Sequence, residues 1–163
     1  MKLLLDTHIL LWTLLDSPEL PERARELIAN PENDIFYSIV VPWEVEIKNI
    51  KHPGALTLTS DMLIAGADMS GFKRLTVKSR HIQYLRKLKT VKDHQDPFDR
   101  IQLCQAATED MTFISTDSKL VQYAEACLLK VYKQGIDNGR TRFSLTAGEL
   151  RTGISGCTRR CRR

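Results

Sequence analysis

The stretch KLLLDTHILLW, residues 2–12, predicts a strand that passes directly into a helix. Lys2–Leu5 is predicted to be a strand, and its apolar run Leu3-Leu4-Leu5 is of the kind found in buried strands. From Thr7 to about Leu15 the sequence is largely apolar and typical of a helix. Asp6 lies at the junction, where a carboxylate destabilises the fold unless it is solvated or binds a cation.

The same alternation of strand and helix continues through the first 132 residues. Strands are predicted at 2–5, 34–38, 72–77, 111–115 and 127–132. Helices are predicted at 7–15, from Pro21 to residue 30, and at 43–50, 60–69, 79–89, 97–110 and 118–126. Connections of this length suit right-handed crossovers between parallel strands. The predicted fold class is therefore α/β with a mainly parallel central sheet.

Composition and charge predict one domain followed by a basic tail. The chain has 163 residues, 42% hydrophobic and 27% charged, which is ordinary for one globular domain. No apolar run approaches the ~20 residues that span a bilayer, so we expect a cytoplasmic protein without membrane contact. Residues 134–163 carry seven arginines against two acidic residues, whereas residues 1–133 are nearly neutral. We predict a domain at 1–133 and a basic, poorly packed extension at 134–163.

Four cysteines are too few for a disulfide framework in a chain of this length. Cys104 and Cys127 fall within or beside predicted elements and are expected to be buried, reduced thiols. Cys157 and Cys161 form a C-x3-C pair in the tail with no histidine nearby, which argues against a zinc site.

Acidic residues recur where predicted strands and helices meet: Asp6, Glu44, Asp96 with Asp99, and Asp117. Each alone is explained as well by a local role, such as a helix cap. If the strands are parallel, however, their carboxyl ends meet at one edge of the sheet, where α/β folds bind ligands. Carboxylates are the ligands that Mg²⁺ prefers, and clustered carboxylates raise one another's pKa unless a cation neutralises them. The pattern therefore predicts a divalent-metal site suited to phosphodiester chemistry.

Neighbouring polar residues leave alternatives open around these acids. Lys48 follows Glu44 by four residues, which predicts either a surface ion pair or a partly buried carboxylate near the helix start. Arg100 either binds phosphate or pairs with Asp96 or Asp99, and we favour the pair. The hydroxyls of Thr7 and Thr116 lie beside the acids and could support the site. A Walker loop and an H-E-x-x-H zinc motif are both absent from the sequence.

Four strings resemble the PIN-domain ribonucleases, and specifically the VapC-like toxins of type II toxin–antitoxin systems. The strings are LLLDTH at 3–8, WEVEIK at 43–48, HQDPFDR at 94–100 and STD at 115–117. The resemblance covers roughly residues 1–132, and the second and third strings are the most specific. Two features depart from it: Val41 and Pro42 stand where relatives more often have a small hydroxyl residue, and the tail from residue 134 matches nothing in the family.

The resemblance implies a three-layer α/β/α fold and Mg²⁺- or Mn²⁺-dependent endonucleolytic cleavage of RNA. It implies that Asp6, Glu44, Asp99 and Asp117 form the catalytic acidic group. Asp6, Asp99 and Asp117 are expected to bind the metal ion, with Asp96 as a cap that also lies near it. It further implies a homodimer and a cognate antitoxin that holds the enzyme inactive.

Three other functions are compatible with the sequence. They are a PIN nuclease of RNA processing, a flap-type nuclease acting on DNA, and a catalytically silent interaction module whose acids are only caps. The length of the chain argues against the flap type, which needs added DNA-binding segments. A silent module need not retain all four acids.

Overall fold

Five parallel strands form the centre of the fold in a computed structural model that describes residues 1–54, 56–91, 96–123 and 127–131. In chain order the strands are β1 (Lys2–Leu5), β2 (Asp34–Ser38), β3 (Lys73–Leu75), β4 (Thr112–Ser115) and β5 (Leu128–Lys130). Their order across the sheet is β3-β2-β1-β4-β5, so β1 lies in the middle and pairs with β2 on one side and β4 on the other. The predicted α/β class is confirmed, and every strand pair is parallel.

Helices connect successive strands along the described chain. Their bounds are α1 (Thr7–Leu14), α2 (Glu22–Ala29), α3 (Val40–Lys51), α4 (Ser60–Met69), α5 (Ser79–Tyr84) and α6 (Pro97–Glu109), with a short 3₁₀ helix at Ser118–Tyr123. No helix in the described residues is both long and apolar enough to cross a membrane.

Apolar side chains fill both faces of the sheet, so the fold has three layers. Leu3 and Leu5 point to a core built with α1, α2, α3 and α4. Leu4 points to the opposite face, where it packs in a second core with α6 and the segment around α5. This alternation follows from the strand geometry, in which successive side chains point to opposite faces. Burial on both faces explains why Leu3, Leu4 and Leu5 of β1 are all apolar and do not alternate with polar residues.

The clearest differences from the predicted bounds occur in three elements. Helix α3 begins three residues earlier than predicted, and Pro42 fits there because the N–H groups of a first helical turn have no partner within the helix. Strand β3 is shorter, since the N–H of Phe72 donates to the Ala67 carbonyl at the end of α4 and not to the sheet. Helix α5 ends at Tyr84, after which the chain continues in turns.

The last predicted helix is also corrected. Residues 118–123 form a 3₁₀ helix in place of the predicted α-helix, and residues 124–126 lie outside the described chain. The predicted extension at 134–163, the end of the last predicted strand at residue 132, and His94 and Gln95 of the third string also lie outside it. Cys104 and Cys127 are reduced thiols; Cys104 is buried as predicted, whereas Cys127 is only partly buried.

Candidate metal centre

Asp6 follows the central strand and lies in the interior of the protein. Its N–H donates to the Ile114 carbonyl at 3.0 Å, which extends the pairing with β4 by one residue. Its side chain is only 3% exposed and makes no helix-capping hydrogen bond, although Asp6 occupies the cap position of α1. One carboxylate oxygen, Oδ2, accepts a 2.6 Å hydrogen bond from the Ser115 hydroxyl at the end of β4. Capping alone therefore does not account for this aspartate.

Burial governs the protonation of Asp6. Loss of solvent raises the pKa of its carboxyl above the ordinary value, and the nearby Glu44 adds to that increase. The hydrogen bond from Ser115 and the positive charge of His8 oppose it. A buried carboxyl whose pKa is raised in this way gains from any cation placed beside it.

Glu44 is held on both of its oxygens by side chains of this chain. It lies in the second turn of α3 and is 5% exposed, so the ion pair with Lys48 that its spacing allowed does form, but with a buried carboxylate. Oε2 accepts a 2.6 Å hydrogen bond from the Thr7 hydroxyl at the start of α1. Oε1 lies 2.6 Å from the ammonium of Lys48, one helical turn further along α3. The position of Glu44 is thus fixed from two elements.

The start of α6 supplies two further carboxylates. Asp96 caps the helix, as predicted, because its Oδ1 accepts a 2.9 Å hydrogen bond from the N–H of Phe98. Asp99 lies in the first turn of α6, two residues after Pro97, and is half-buried. Burial and then the negative charges of Asp6, Asp96, Glu44 and Asp117 raise the pKa of Asp99 to about 8.

The last acidic position follows β4. Asp117 follows Ser115 and Thr116 in the sequence, and its N–H donates to the Ser115 hydroxyl oxygen at 3.0 Å. Its Oδ1 accepts a 2.8 Å hydrogen bond from the N–H of Lys119, so this aspartate does shape a turn. Ser115 therefore binds Asp6 and the backbone of Asp117 at once, and it joins the two junctions to each other.

One open cavity of about 650 Å³ brings these residues together at the carboxyl edge of the sheet. All five predicted acids line it, along with two hydroxyl residues, two lysines and two aromatic side chains: Asp6, Glu44, Asp96, Asp99, Asp117, Thr7, Thr116, Lys48, Lys119, His8 and Trp12. The acids come from four separate parts of the chain. Their catalytic and metal-binding roles remain predictions.

Arg100 does not line this cavity. Its guanidinium donates a long, 3.5 Å hydrogen bond to the Lys89 carbonyl and lies 5.7 Å from the centre of the Tyr123 ring. Its pairing with Asp96 or Asp99 stays a prediction.

Sequence reasoning missed Gln102, a fully buried polar residue behind the cavity. Its Nε2 lies 3.5 Å from Thr7 Oγ1, the hydroxyl that binds Glu44. Its carbonyl oxygen is buried without a hydrogen-bond partner in the described part of the chain. The available signal was its spacing: Gln102 follows Asp99 by one helical turn and therefore lies on the same face of α6.

The donor set fits a hard divalent cation in chemistry, and its present arrangement falls short of a formed site. Carboxylates are the donors that Mg²⁺ selects, and burial together with the neighbouring negative charges raises the pKa of Asp99 to about 8, which a bound cation would offset. As placed, no three Asp, Glu, His or Cys side chains of the described residues could already hold a metal ion between them. Binding would therefore require a rearrangement of side chains.

Replacement of Ser115 by alanine tests the contact that links the two junctions. Ser115→Ala leaves the buried Asp6 carboxylate without its hydroxyl donor, so we expect the free energy of unfolding to fall by about 1–3 kcal/mol. Urea denaturation at neutral pH measures the change. Ser118→Ala, which alters an exposed serine three residues later, is the control and should change stability by less than about 0.5 kcal/mol. Equal effects of the two variants would contradict a supporting role for Ser115.

Comparison with known proteins places this arrangement in a family. A family model described as PIN domain matches residues 3–126. A solved structure of VapBC2 from Rickettsia felis, bound to a DNA fragment from their promoter, is similar with a TM-score of 0.59 and 16% identity, over 81% of this chain and 100% of that one. A toxin–antitoxin complex from Klebsiella pneumoniae is similar with a TM-score of 0.50 and 19% identity, over 80% and 98%. No curated protein matches the sequence.

Proposed function

The chain belongs to the PIN-domain family, and from this premise we propose that it is a divalent-metal-dependent endoribonuclease and the toxin of a toxin–antitoxin pair. One observation carries the proposal: acids from four separate segments of the chain line a single cavity at the carboxyl edge of the sheet. Helix capping does not account for the whole group, because Asp6 makes no capping hydrogen bond and Glu44 lies in the second turn of α3.

The residues that would hold the metal ion are Asp6, Asp99 and Asp117, with Asp96 at the rim. A divalent cation bound there supplies Lewis-acid activation of water and neutralises charge at the scissile phosphate. Ser115 orients Asp6 for this task through its hydrogen bond, so the innermost ligand is positioned before the ion arrives. Preorganisation of this kind reduces the rearrangement needed when substrate binds.

The remaining acid, Glu44, belongs to the catalytic group in a different way. Its oxygens already bind Thr7 and Lys48, so its contribution is a fixed negative charge and the placement of its partners. Thr116 lines the cavity between Ser115 and Asp117 and offers a hydroxyl to substrate or water. RNA is the substrate class we favour because the four sequence strings match the ribonuclease branch of the family.

The partners follow from the same premise. The Klebsiella structure is a toxin–antitoxin complex by its description, and similarity to it supports a protein antitoxin as partner of this chain. We propose in addition a homodimer and a cytoplasmic location, where cellular RNA is available.

Co-expression with the product of the neighbouring reading frame should yield a stable complex without nuclease activity. For this chain alone, size-exclusion chromatography with light scattering should give the mass of a dimer.

Cleavage of RNA by the full-length protein tests the proposed activity directly. We expect cleavage of a single-stranded RNA in Mg²⁺ or Mn²⁺ and its loss in EDTA, because the cation that would activate water and neutralise charge at the scissile phosphate is then removed. A DNA strand of the same sequence serves as the matched control. Cleavage that persists in EDTA would refute the metal mechanism, and cleavage of the DNA strand alone would refute the substrate class. A protein that cleaves neither would be the silent interaction module.

A further inference from the structure

A chain of hydrogen bonds runs from the interior of the protein to Lys48 at the cavity. It begins at the buried amide of Gln102, whose Nε2 lies 3.5 Å from the Thr7 hydroxyl oxygen. Thr7 donates to Glu44 Oε2 at 2.6 Å, and Glu44 Oε1 holds the Lys48 ammonium at 2.6 Å. Three of these four side chains are buried, whereas that of Lys48 is 42% exposed. The series therefore ends on a cation presented to solvent.

We propose that Lys48 binds a backbone phosphate of the RNA substrate and that Glu44 is the positioning residue that holds Lys48 in place. This inference rests on the proposed function and assigns Glu44 a role other than metal ligand. Lys48 touches substrate, and Glu44 acts through it.

The contacts of Glu44 argue against direct metal ligation. Both of its oxygens are engaged at 2.6 Å, one by a hydroxyl and one by an ammonium. Each oxygen keeps a second lone pair, so these bonds do not by themselves exclude a metal ion. The ammonium of Lys48, 2.6 Å from Oε1, repels a second cation that approaches the same carboxylate, and this repulsion disfavours ligation by Glu44.

The position of Lys48 suits an extended polyanion. It lines the acidic cavity and also the adjoining groove of about 370 Å³, so it lies where the two meet. An ammonium has three N–H donors, and the bond to Glu44 occupies one of them. The others remain for oxygen acceptors that approach from solvent. A strand of RNA that enters the cavity along the groove would pass this side chain.

The charge of the cavity explains why a fixed cation is needed there. Five carboxylates line it, and phosphate oxygens approaching them are repelled. Lysine is a common phosphate-binding residue, and it acts as a point charge. The one-turn spacing of Glu44 and Lys48 on α3 keeps that charge at the edge of the cavity. The phosphate therefore meets a positive charge before it meets the acids.

Salt dependence of RNA binding tests Lys48 without catalysis. Full-length protein is titrated with a single-stranded RNA oligonucleotide in EDTA at several KCl concentrations. Lys48→Gln should weaken binding several-fold and reduce the slope of log K against log salt by about 0.7, the value for one phosphate contact on a single strand. Lys48→Arg, which keeps the charge, should restore the slope.

Lys73 provides a matched control at the opposite edge of the sheet. It is also a half-exposed lysine in an ion pair, with Asp34 at the start of β2, away from the cavity. Lys73→Gln should leave the salt slope unchanged. If Lys48→Gln and Lys73→Gln give the same slope while the wild-type protein cleaves RNA, the inference is refuted and the proposed function stands. If the wild-type protein neither binds nor cleaves RNA, the proposed function itself fails.

Binding of Mn²⁺ in the absence of RNA separates a positioning role of Glu44 from ligation. Titration of the full-length protein with Mn²⁺, followed by electron paramagnetic resonance, should give Glu44→Gln an affinity within about threefold of wild type. Asp99→Asn should lose at least tenfold. A loss for Glu44→Gln as large as that for Asp99→Asn would make Glu44 a ligand and overturn its assignment as the residue that positions Lys48.

Discussion

Asp99→Asn is expected to reduce RNA cleavage by about three orders of magnitude, as is typical when a charged group that stabilises a phosphoryl transition state is lost. The reason is the position of Asp99, which lies half-buried in the cavity wall, where the negative charges of four other acids act on it. Asparagine keeps the size of the side chain and removes the charge that a divalent cation requires. Initial rates under saturating Mg²⁺, measured on the same RNA, give the comparison.

The control for this variant lies at the other end of the same helix. Asp110 ends α6 with a positive φ of 55°, which asparagine also tolerates well, and its side chain is exposed. Asp110→Asn therefore makes the same chemical change on α6 away from the cavity, and its rate should stay within twofold of wild type. Equal activity of the two variants would exclude Asp99 from the catalytic group.

The second large effect concerns stability, which is expected to fall as pH rises when no metal ion is bound. Asp99 has a pKa of about 8 in the folded protein and about 3.8 as a free side chain. Between these values the folded state binds one more proton than the unfolded state, so the free energy of unfolding decreases with pH across that window. Screening by water at this half-buried group limits the decrease to about 2 kcal/mol. The raised pKa of Asp6 acts in the same direction.

Urea denaturation in EDTA at pH 5 and pH 8.5 measures this effect, and Asp99→Asn isolates it. The free energy of unfolding of the variant should change less with pH than that of wild type. At pH 8.5 the variant should be the more stable of the two, although we expect it to cleave RNA poorly. Glu109 does not interfere, because hydrogen bonds from Arg80, His81 and Lys78 outweigh its burial and lower its pKa to about 2, below the window. If the free energy of unfolding changes between pH 5 and pH 8.5 by the same amount in the wild-type protein and in the variant, the raised pKa of Asp99 is refuted.

Sequence reasoning succeeded for features that local spacing determines. The apolar run before Asp6 predicted both the central strand and the placement of the acid at its end, because a strand buried on both faces has few other compositions. The string from Asp96 to Asp99 predicted the cap and the start of α6 for a similar reason: a cap residue followed by proline specifies a helix start within one turn.

The contacts that tie these local features together could not be predicted in the same way. Ser115 binds Asp6 from 109 positions away, and Gln102 reaches Thr7 from 95 positions away. Neither distance leaves a periodic signal in the sequence, because each contact depends on the order of strands in the sheet.

The central place of β1 also sets the order in which the domain can assemble during synthesis. During synthesis β1 can pair with β2 after about thirty further residues have been made. Its other neighbour, β4, is made only near residue 112. Such long-range pairing slows folding, and the interior strand has one open edge until then. Since Ser115 and Asp117 arrive on that same late segment, a growing chain has no complete acidic cavity. A nuclease domain built in this order would acquire its site only when that segment has been made.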